Sequence, residues 1–360
     1  MARTRLALSI GCPSGIGPEV AVVAAARADV DVVLVGDFGV IARAAELRKV
    51  GAHFLPIDDP SSRSMLPPGV IGVFQPTPSL AMSDARYGKP SIAGGAAQLA
   101  WIDSACDLVS FGGADALVTG PVSKEAIVRS RAQGSRGFIG HTEHLQKRLR
   151  SKDVVMAFYG ETFSTALVTT HMALAQVPRA ITKSTVEQSA YFLGDFLLRL
   201  AKKNHAPRLA VAGLNPHAGE HGLFGKEDMR AIAPAVKSAR ARFAKERRKI
   251  EIAGPVPAET AFRLAARAEY DGVVAMYHDQ ATIPMKVASF GEAVNVSLAL
   301  PIIRTSVDHG TAYDIAGNAT ADASGMRAAI DLAVRLVNAD AASPSRAKRA
   351  ATSKRPQSRR

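Results

Sequence analysis

Three histidines occupy the same kind of position, directly after an apolar run. His171 ends "STALVTTH", His217 ends "LAVAGLNPH" and His278 follows "GVVAMY". If these runs are parallel strands, their carboxyl ends meet at one edge of a sheet, where ligand-binding groups gather. Three imidazoles with an open fourth position are typical of a catalytic divalent metal. The alternative is that each histidine only forms hydrogen bonds within its own loop, and the pattern leaves both interpretations open.

A second group of polar residues is spread through an apolar stretch near the carboxyl end. Lys286, Asn295 and Arg304 are spaced nine and nine apart between "MKVASF" and "PIIR". An ammonium, an amide and a guanidinium could together hold a phosphate and a carboxylate. The alternative for each is a polar residue on a surface strand.

The segment "GFIGHTEHL" is a further candidate for ligand binding. His141 and Thr142 supply polar groups in a turn that glycine permits, and Glu143 or His144 could cap the helix that follows. Helix capping without any ligand is the alternative.

Two glycine-containing loops lie near the ends of the chain. "GCPSGIGPE" matches neither the dinucleotide fingerprint G-x-G-x-x-G nor the phosphate-loop pattern G-x4-G-K-[ST]. Gly15 and Gly17 permit close backbone approach, and Glu19 suits the positive end of a helix. A strand-to-helix turn without a ligand explains this loop equally well. The second loop, "DHGTAYDIAGN", could wrap a nucleotide with His309, Gly310, Thr311, Asp314 and Gly317.

Apolar runs alternate with helix-like segments along the chain. Residues 31–37 form a continuous apolar run, residues 92–110 repeat apolar positions at helical spacing, and residues 114–127 read as strand, turn and helix start. This alternation predicts an α/β protein with mostly parallel sheets covered by helices on both faces. At 360 residues we expect two domains.

Composition argues against several classes of protein. The formal net charge is +13, but the last 18 residues carry seven of the positive charges without an acid, and we expect residues 343–360 to be a disordered basic tail. A basic segment at residues 237–249 predicts a solvated helix face, so nucleic acid is not the expected partner.

Two cysteines do not make a disulfide framework, and no run is apolar enough for a signal peptide or a membrane span. We expect a cytoplasmic protein.

Taken in order, eight segments resemble the 4-hydroxythreonine-4-phosphate dehydrogenase family of vitamin B6 synthesis. They are "GCPSGIGPE", "LVTGPVSKEAI", "GHTEHL", "LVTTHMAL", "LNPHAGE", "GPVPAETAF", "YHDQATIPMK" and "VNVSLALPIIRTSVDHGTAYDIAG". The resemblance implies the isocitrate/isopropylmalate dehydrogenase-like fold, with two α/β/α domains and a cleft between them. The first domain would comprise residues 1–128 and 300–342 with the nucleotide loop. The second, residues 129–299, would hold the metal ligands and the dimer contacts.

The resemblance also implies an activity and its cofactors. It implies NAD(P)-dependent oxidation of 4-phosphooxy-L-threonine and decarboxylation to 3-amino-2-oxopropyl phosphate, in a homodimer whose active site takes residues from both subunits. One divalent metal per subunit (Zn, Mg or Co) would bind His171, His217 and His278. Substrate contacts would come from His141, Thr142, Lys286, Asn295 and Arg304, with Lys286 also the candidate for proton transfer. NAD or NADP would lie on the loop with His309, Gly310, Thr311, Asp314 and Gly317.

The chain departs from the family pattern at two positions, and related substrates stay open. Cys12 stands where the family usually has an acid, and Glu259 stands where it often has aspartate. Dehydrogenases with nearly the same motifs act on threonate or erythronate 4-phosphate, or on an aromatic cis-dihydrodiol carboxylate. A basic nucleic-acid-binding module is the alternative from another class, and it gives the three histidines no role.

Overall fold

The computed structural model describes residues 3–27, 29–63, 66, 67, 69–289 and 291–342. Within them the chain forms two compact units. The first unit runs up to Lys152 and resumes at Leu300, and the second unit is Asp153–Ala299. The expected basic tail, residues 343–360, lies outside the described residues.

The elements alternate between strands and helices. The chain begins with β1 (Arg5–Ser9), α1 (Gly17–Ala25), β2 (Asp31–Val35), α2 (Phe38–Leu47), β3 (His53–Pro56), β4 (Val70–Phe74), α3 (Ile92–Ser110), β5 (Ala116–Thr119), α4 (Lys124–Ser130) and α5 (His141–Arg148). The second unit contains β6 (Val155–Tyr159), β7 (Ser164–Leu167), α6 (Val177–Ala180), α7 (Lys183–Leu200), β8 (Arg208–Ala212), α8 (Ala233–Lys245), β9 (Glu251–Val256), α9 (Ala258–Ala266), β10 (Gly272–Ala275), α10 (His278–Ala288) and β11 (Val294–Leu298). The first unit then ends with β12 (Ile303–Val307) and α11 (Ser324–Ala341).

In the first unit, six strands pair in the order β3-β4-β2-β1-β5-β12, and each pair is parallel. Ser9 at the end of β1 is in register with Thr119 at the end of β5, and Thr119 is in register with Ser306 on β12. The loops that follow β1, β5 and β12 therefore leave from one edge of the sheet, as expected for an open α/β fold.

The second unit has the order β11-β6-β7-β10-β8-β9. The pairs from β7 to β9 are parallel, whereas β6 runs antiparallel to both β7 and β11. Because β7, β10 and β8 are adjacent and parallel, the segments that carry His171, His278 and His217 leave from the same edge. The α/β class and the mostly parallel sheets are confirmed, and the antiparallel β6 is an addition that the apolar runs did not predict.

Helix α3 forms where its local sequence predicts a helix. Ser91 caps it by accepting a hydrogen bond from Gly94 N at 2.9 Å, and Trp101 and Cys106 are fully buried on its inner face. A side chain at Gly95 could not be accommodated, since its Cβ would lie 2.1 Å from the carbonyl oxygen of Ala126 on α4. The helix spans residues 92–110, the range that its apolar spacing predicts.

The boundary between the units differs from the expected one, because residues 129–152 lie with the first unit. Their helix α5 contacts α3 through polar pairs. His144 Nε2 lies 2.6 Å from Asp103 Oδ1, and Arg148 Nη2 lies 2.6 Å from Asp107 Oδ2. These pairs explain why α5 stays with the first unit.

Among the described residues, no helix is both long and apolar enough to cross a bilayer.

Candidate functional site

The loop between β1 and α1, residues 10–16, is packed against its neighbours. A Cβ at Gly15 would lie 2.6 Å from the carbonyl oxygen of Thr311, and one at Gly17 would lie 2.3 Å from that of Ile10. Any side chain at these two positions would clash with backbone. The glycines therefore allow close backbone packing within the first unit.

The partner of this loop is the segment between β12 and α11, residues 308–323, which we call the β12–α11 loop. Two contacts join this segment to residues 10–16, and a third joins it to the first turn of α1. Ile16 N donates to Thr311 O at 3.0 Å, the thiol of Cys12 lies 3.4 Å from the hydroxyl of Tyr313, and Gly317 N donates to Glu19 Oε1 at 2.8 Å. Thr311 and Gly317, two of the predicted nucleotide-binding residues, therefore contact the first glycine loop, residues 11–19. Gly310 and Asp314 are exposed, whereas His309 and Thr311 are partly buried.

Cys12 and Glu259, the two positions where the chain departs from the family pattern, have different surroundings. Burial raises the pKa of the Cys12 thiol, so this position carries no charge at neutral pH. Burial, together with the bond to Cys12, raises the pKa of Tyr313 to about 12, so the phenol is also neutral. Glu259 is exposed in the first turn of α9, where its carboxylate lies 3.9 Å from Arg263.

Arg304 is a buried cation on β12. The residue is 3% exposed. Its guanidinium donates two hydrogen bonds to Thr119 Oγ1, from Nη2 at 2.7 Å and from Nε at 3.2 Å. Burial lowers the pKa of Arg304 to about 9, which still leaves it charged at neutral pH. A desolvated guanidinium at the carboxyl edge of a sheet is suited to bind an anion.

His141 is the first residue of α5, and Thr142 beside it is buried. His141 Nε2 is buried and has no hydrogen-bond partner among the residues that the structure describes. Burial, with the nearby charge of Arg304, holds the pKa of His141 well below its usual range. The imidazole is therefore neutral, with a buried nitrogen available to a ligand. Gly140 is the N-cap residue of α5 and has no side chain to cap it, and Glu143 lies in the first turn, where a carboxylate favours the positive end of the helix.

In the second unit, two of the three candidate metal ligands are neighbours. The ring centroids of His171 and His278 lie 5.7 Å apart, and His278 Nδ1 lies 2.7 Å from Asp279 Oδ1. The ring of His217 lies 6.1 Å from that of Phe224. Across the described part of the chain, no group of three or more His, Cys, Asp or Glu side chains is close enough to hold a metal. The structure thus pairs His171 with His278, and the shared site of all three stays a prediction.

His217 lies in an unusual backbone segment. Residues 217–222 all have positive φ, from 41° at Glu220 to 96° at Gly222, which is a left-handed turn. L-residues adopt this conformation at a cost, and such strain is typical of functional loops. The residues before this turn are held by Asp228, which is fully buried. Its carboxylate accepts hydrogen bonds from Leu214 N at 2.9 Å and from the Asn215 side chain at 2.9 Å.

His221 also lies in this turn, although it is not among the candidate residues above. His221 follows His217 by four residues in "HAGEH", and the structure places both in the left-handed turn. The spacing of the two histidines would place them on one face of an α-helix, but the left-handed backbone does not give them that arrangement.

The remaining two candidates also lie in the second unit. Lys286 is exposed near the end of α10, eight residues after His278 on the same helix. Asn295 is partly buried on β11, in register with Phe158 on β6. Lys286 is therefore a helix residue, and the alternative of a surface strand does not apply to it.

Comparisons with known proteins agree on one family. Residues 28–333 match the family described as "Pyridoxal phosphate biosynthetic protein PdxA". A 4-hydroxythreonine-4-phosphate dehydrogenase from Desulfosudis oleivorans is 41% identical over 338 residues, covering 92% of this chain and 96% of that protein. Among solved structures, a 4-hydroxythreonine-4-phosphate dehydrogenase from Klebsiella pneumoniae superposes with a TM-score of 0.77 at 35% identity, covering 93% of this chain and 100% of that one.

A solved structure with a different named substrate is also similar. A terephthalate 1,2-cis-dihydrodiol dehydrogenase from Burkholderia xenovorans superposes with a TM-score of 0.64 at 29% identity, covering 93% of this chain and 98% of that one. The higher identity and the match over most of the chain decide the family. The chain belongs to the pyridoxal phosphate biosynthetic protein PdxA family.

Proposed function

We propose that this protein is a metal- and NAD(P)-dependent dehydrogenase that oxidises 4-phosphooxy-L-threonine, followed by decarboxylation to 3-amino-2-oxopropyl phosphate, in pyridoxal 5'-phosphate biosynthesis. The observation that carries the proposal is the buried cation of Arg304 beside the neutral His141, whose Nε2 is buried without a partner among the described residues. Both residues stand in segments that resemble the family. The substrate named for the 41% identical relative supplies the specific assignment.

In this proposal Arg304 and His141 bind the anionic groups of the substrate. Arg304 offers a planar fork whose position is set by Thr119, and a planar fork suits the paired oxygens of a phosphate or carboxylate. His141 supplies a neutral hydrogen-bonding nitrogen, and Thr142 adds a hydroxyl. A second positive group on the first unit, Lys124, is close enough to lower the pKa of His141 further, and the carboxylate of Glu143 lies close enough to Arg304 to favour its charged form.

The metal would be held by His171, His217 and His278 in the second unit. The donor set fits a divalent transition metal, since imidazole suits zinc and cobalt better than magnesium, and the three segments leave adjacent parallel strands. The 5.7 Å between the rings of His171 and His278 is compatible with two ligands of one ion. When bound, the metal supplies a Lewis acid for the substrate hydroxyl and the nicotinamide supplies the hydride acceptor.

The β12–α11 loop would hold NAD or NADP through His309, Gly310, Thr311, Asp314 and Gly317. No atom lies within 4 Å of a Cβ placed at the exposed Gly310, so the space beside this backbone is open to a ligand. Lys286 is the candidate for moving a proton once CO2 has left, because it is a flexible, exposed ammonium on the helix that begins at His278. Phosphate contact is its alternative role, and the two roles predict different pH dependence.

We further propose that the protein acts as a homodimer with shared active sites. The second unit exposes large apolar side chains close in sequence to the metal-ligand candidates, which are Met172, Leu174, Leu223, Phe224, Met229, Ile283 and Val287. Val287 is 83% exposed and Leu223 is 73% exposed, values that favour a protein interface over free surface.

The alternative substrates are tested by one experiment. The purified protein would be assayed for cofactor reduction with 4-phosphooxy-L-threonine, threonate 4-phosphate, erythronate 4-phosphate and an aromatic cis-dihydrodiol carboxylate, each with NAD and NADP. We expect the highest kcat/KM with 4-phosphooxy-L-threonine. Preference for the dihydrodiol would contradict the role of Arg304 in phosphate binding and would favour the activity named for the 29% identical structure.

The nucleic-acid alternative finds little support in the second unit. Several cations of the basic segment contact their own fold: Arg240 Nε donates to Ile252 O at 2.6 Å, and the guanidinium of Arg242 lies 3.2 Å from the centre of the Tyr191 ring. Arg248 Nη2 forms an ion pair with Asp195 at 2.5 Å. These side chains are engaged within the domain, so they do not present a continuous patch to phosphates.

A further inference from the structure

Glu19 is a fully buried carboxylate in the first turn of α1. One of its oxygens, Oε1, accepts a hydrogen bond from Gly317 N at 2.8 Å, and the two residues are 298 positions apart. The other oxygen, Oε2, is buried and has no hydrogen-bond partner within the described ranges. A strand-to-helix turn does not need such a group, because burying a carboxylate is costly and an apolar residue could fill the space.

Arg48, the C-cap residue of α2, connects the carboxylate to a second point of the β12–α11 loop. Arg48 Nη1 lies 3.8 Å from Glu19 Oε2, which is an ion pair without a hydrogen bond. The same Nη1 donates to Ala321 O at 2.6 Å. The pair therefore contacts this loop at Gly317 and again at Ala321, four residues later.

The backbone of this loop depends on such contacts. Ala312 and Ala319 have φ of 42° and 59°, and Gly317 has φ of 86°. Left-handed alanines are strained, and strained positions persist only where the surrounding structure holds them. A Cβ at Gly317 would lie 2.5 Å from the Tyr87 ring, so this residue is closely packed as well as hydrogen-bonded.

We infer that Glu19 is a positioning residue for cofactor binding: its carboxylate, paired with Arg48, holds the β12–α11 loop in the conformation that receives the nucleotide. The inference rests on the proposed function, in which this loop binds NAD or NADP. It gives the first glycine loop a supporting role, since that loop brings Glu19 to Gly317.

The test uses the full chain with Glu19→Ala, Glu19→Gln, Arg48→Met and a control. The control is Asp31→Asn, because Asp31 forms a partly buried ion pair with Arg5 at 2.6 Å at the beginnings of β1 and β2, away from the loop. The dissociation constants of NAD and NADP are measured by calorimetry, and KM for cofactor and for substrate are measured separately. Hydrogen exchange of residues 308–323 reports the loop itself.

We expect Glu19→Ala to weaken cofactor binding by about tenfold or more and to speed exchange in the loop, with a much smaller change in substrate KM. Glu19→Gln keeps an acceptor for Gly317 and should stay within about threefold of the parent. Arg48→Met should weaken cofactor binding by about threefold to tenfold. This variant tests the inference if Glu19→Ala does not fold. Asp31→Asn should lower the melting temperature without changing cofactor affinity.

Parent-like affinity and parent-like exchange in both Glu19→Ala and Arg48→Met would overturn the inference. An equal loss of affinity in Asp31→Asn would also overturn it, because the effect would then be general destabilisation. A parent protein that binds neither NAD nor NADP would contradict the proposed function instead. In that case the exchange measurement alone decides whether Glu19 positions the loop.

Discussion

Arg304 Nη2 lies 2.7 Å from Thr119 Oγ1, across the parallel pair β12 and β5. Thr119 is in register with Ser306, so the side chain of Arg304 reaches two residues along its strand toward the carboxyl edge. Ser306 Oγ completes the arrangement by donating to Thr119 O at 3.0 Å. A buried cation is thus held in one orientation by its neighbours before any ligand binds.

Replacing this guanidinium should damage catalysis with phosphorylated substrate. Arg304→Lys should cost about tenfold to a hundredfold in kcat/KM on 4-phosphooxy-L-threonine, because an ammonium lacks the planar fork that pairs with two ligand oxygens in one fixed orientation. Cofactor KM should change little. Arg148→Lys is the matched control, since Arg148 forms its ion pairs with Asp103 and Asp107 at the surface of the same unit. Loss of cofactor binding with normal substrate binding would assign Arg304 to the nucleotide.

Thr119 should matter for stability as well as for orientation. Thr119→Val preserves shape but removes the acceptor of a buried charged donor, and we expect it to lower the free energy of unfolding by about 1–3 kcal/mol. Thr119→Ser keeps the hydroxyl and should lose less. Denaturant titration of both variants measures the difference. Equal stability of the valine variant and the parent would show that Thr119 is not an important partner of the guanidinium.

The histidine assignment predicts a loss of metal without a loss of fold. His217→Ala and His278→Ala should each lower bound zinc or cobalt and abolish turnover, while the melting temperature changes little, because His217 is exposed and His278 is only partly buried. His205→Ala is the control in the same unit, since His205 pairs with Asp271 at 2.9 Å. Metal content is read by elemental analysis. Full metal occupancy and full activity in His217→Ala would show that His217 is not a ligand.

Stability should fall at acidic pH through His141. Its pKa in the folded protein is held well below the usual value, so the unfolded chain binds the extra proton first and stability decreases as pH drops below about 6.5. Between pH 7.5 and 5.5 this residue should contribute a loss of up to about 1.4 kcal/mol in the free energy of unfolding. His141→Gln should remove that part of the dependence. Identical pH profiles for variant and parent in denaturant titrations would contradict the assignment.

Much of the local structure could be predicted from the sequence because its causes are local. The apolar spacing over residues 92–110 predicted α3 with both ends, and the run at residues 31–37 predicted β2. The apolar runs before His171, His217 and His278 are indeed the strands β7, β8 and β10, although His278 begins a helix. Side-chain period and capping depend on neighbours within a few residues, so the pattern is sufficient for them.

By itself, the sequence determined helix α3, the strands β2, β5, β7, β8 and β10, the family resemblance and the candidate residues of each loop. Only the tertiary structure decided that β6 runs antiparallel, that His217 and His221 lie in a left-handed turn, and that Glu19 accepts the amide of Gly317. Each of these depends on contacts between distant segments or on strain that distant contacts sustain. The order of strands in the sheet brings such segments together, and no periodicity within a short window encodes that order.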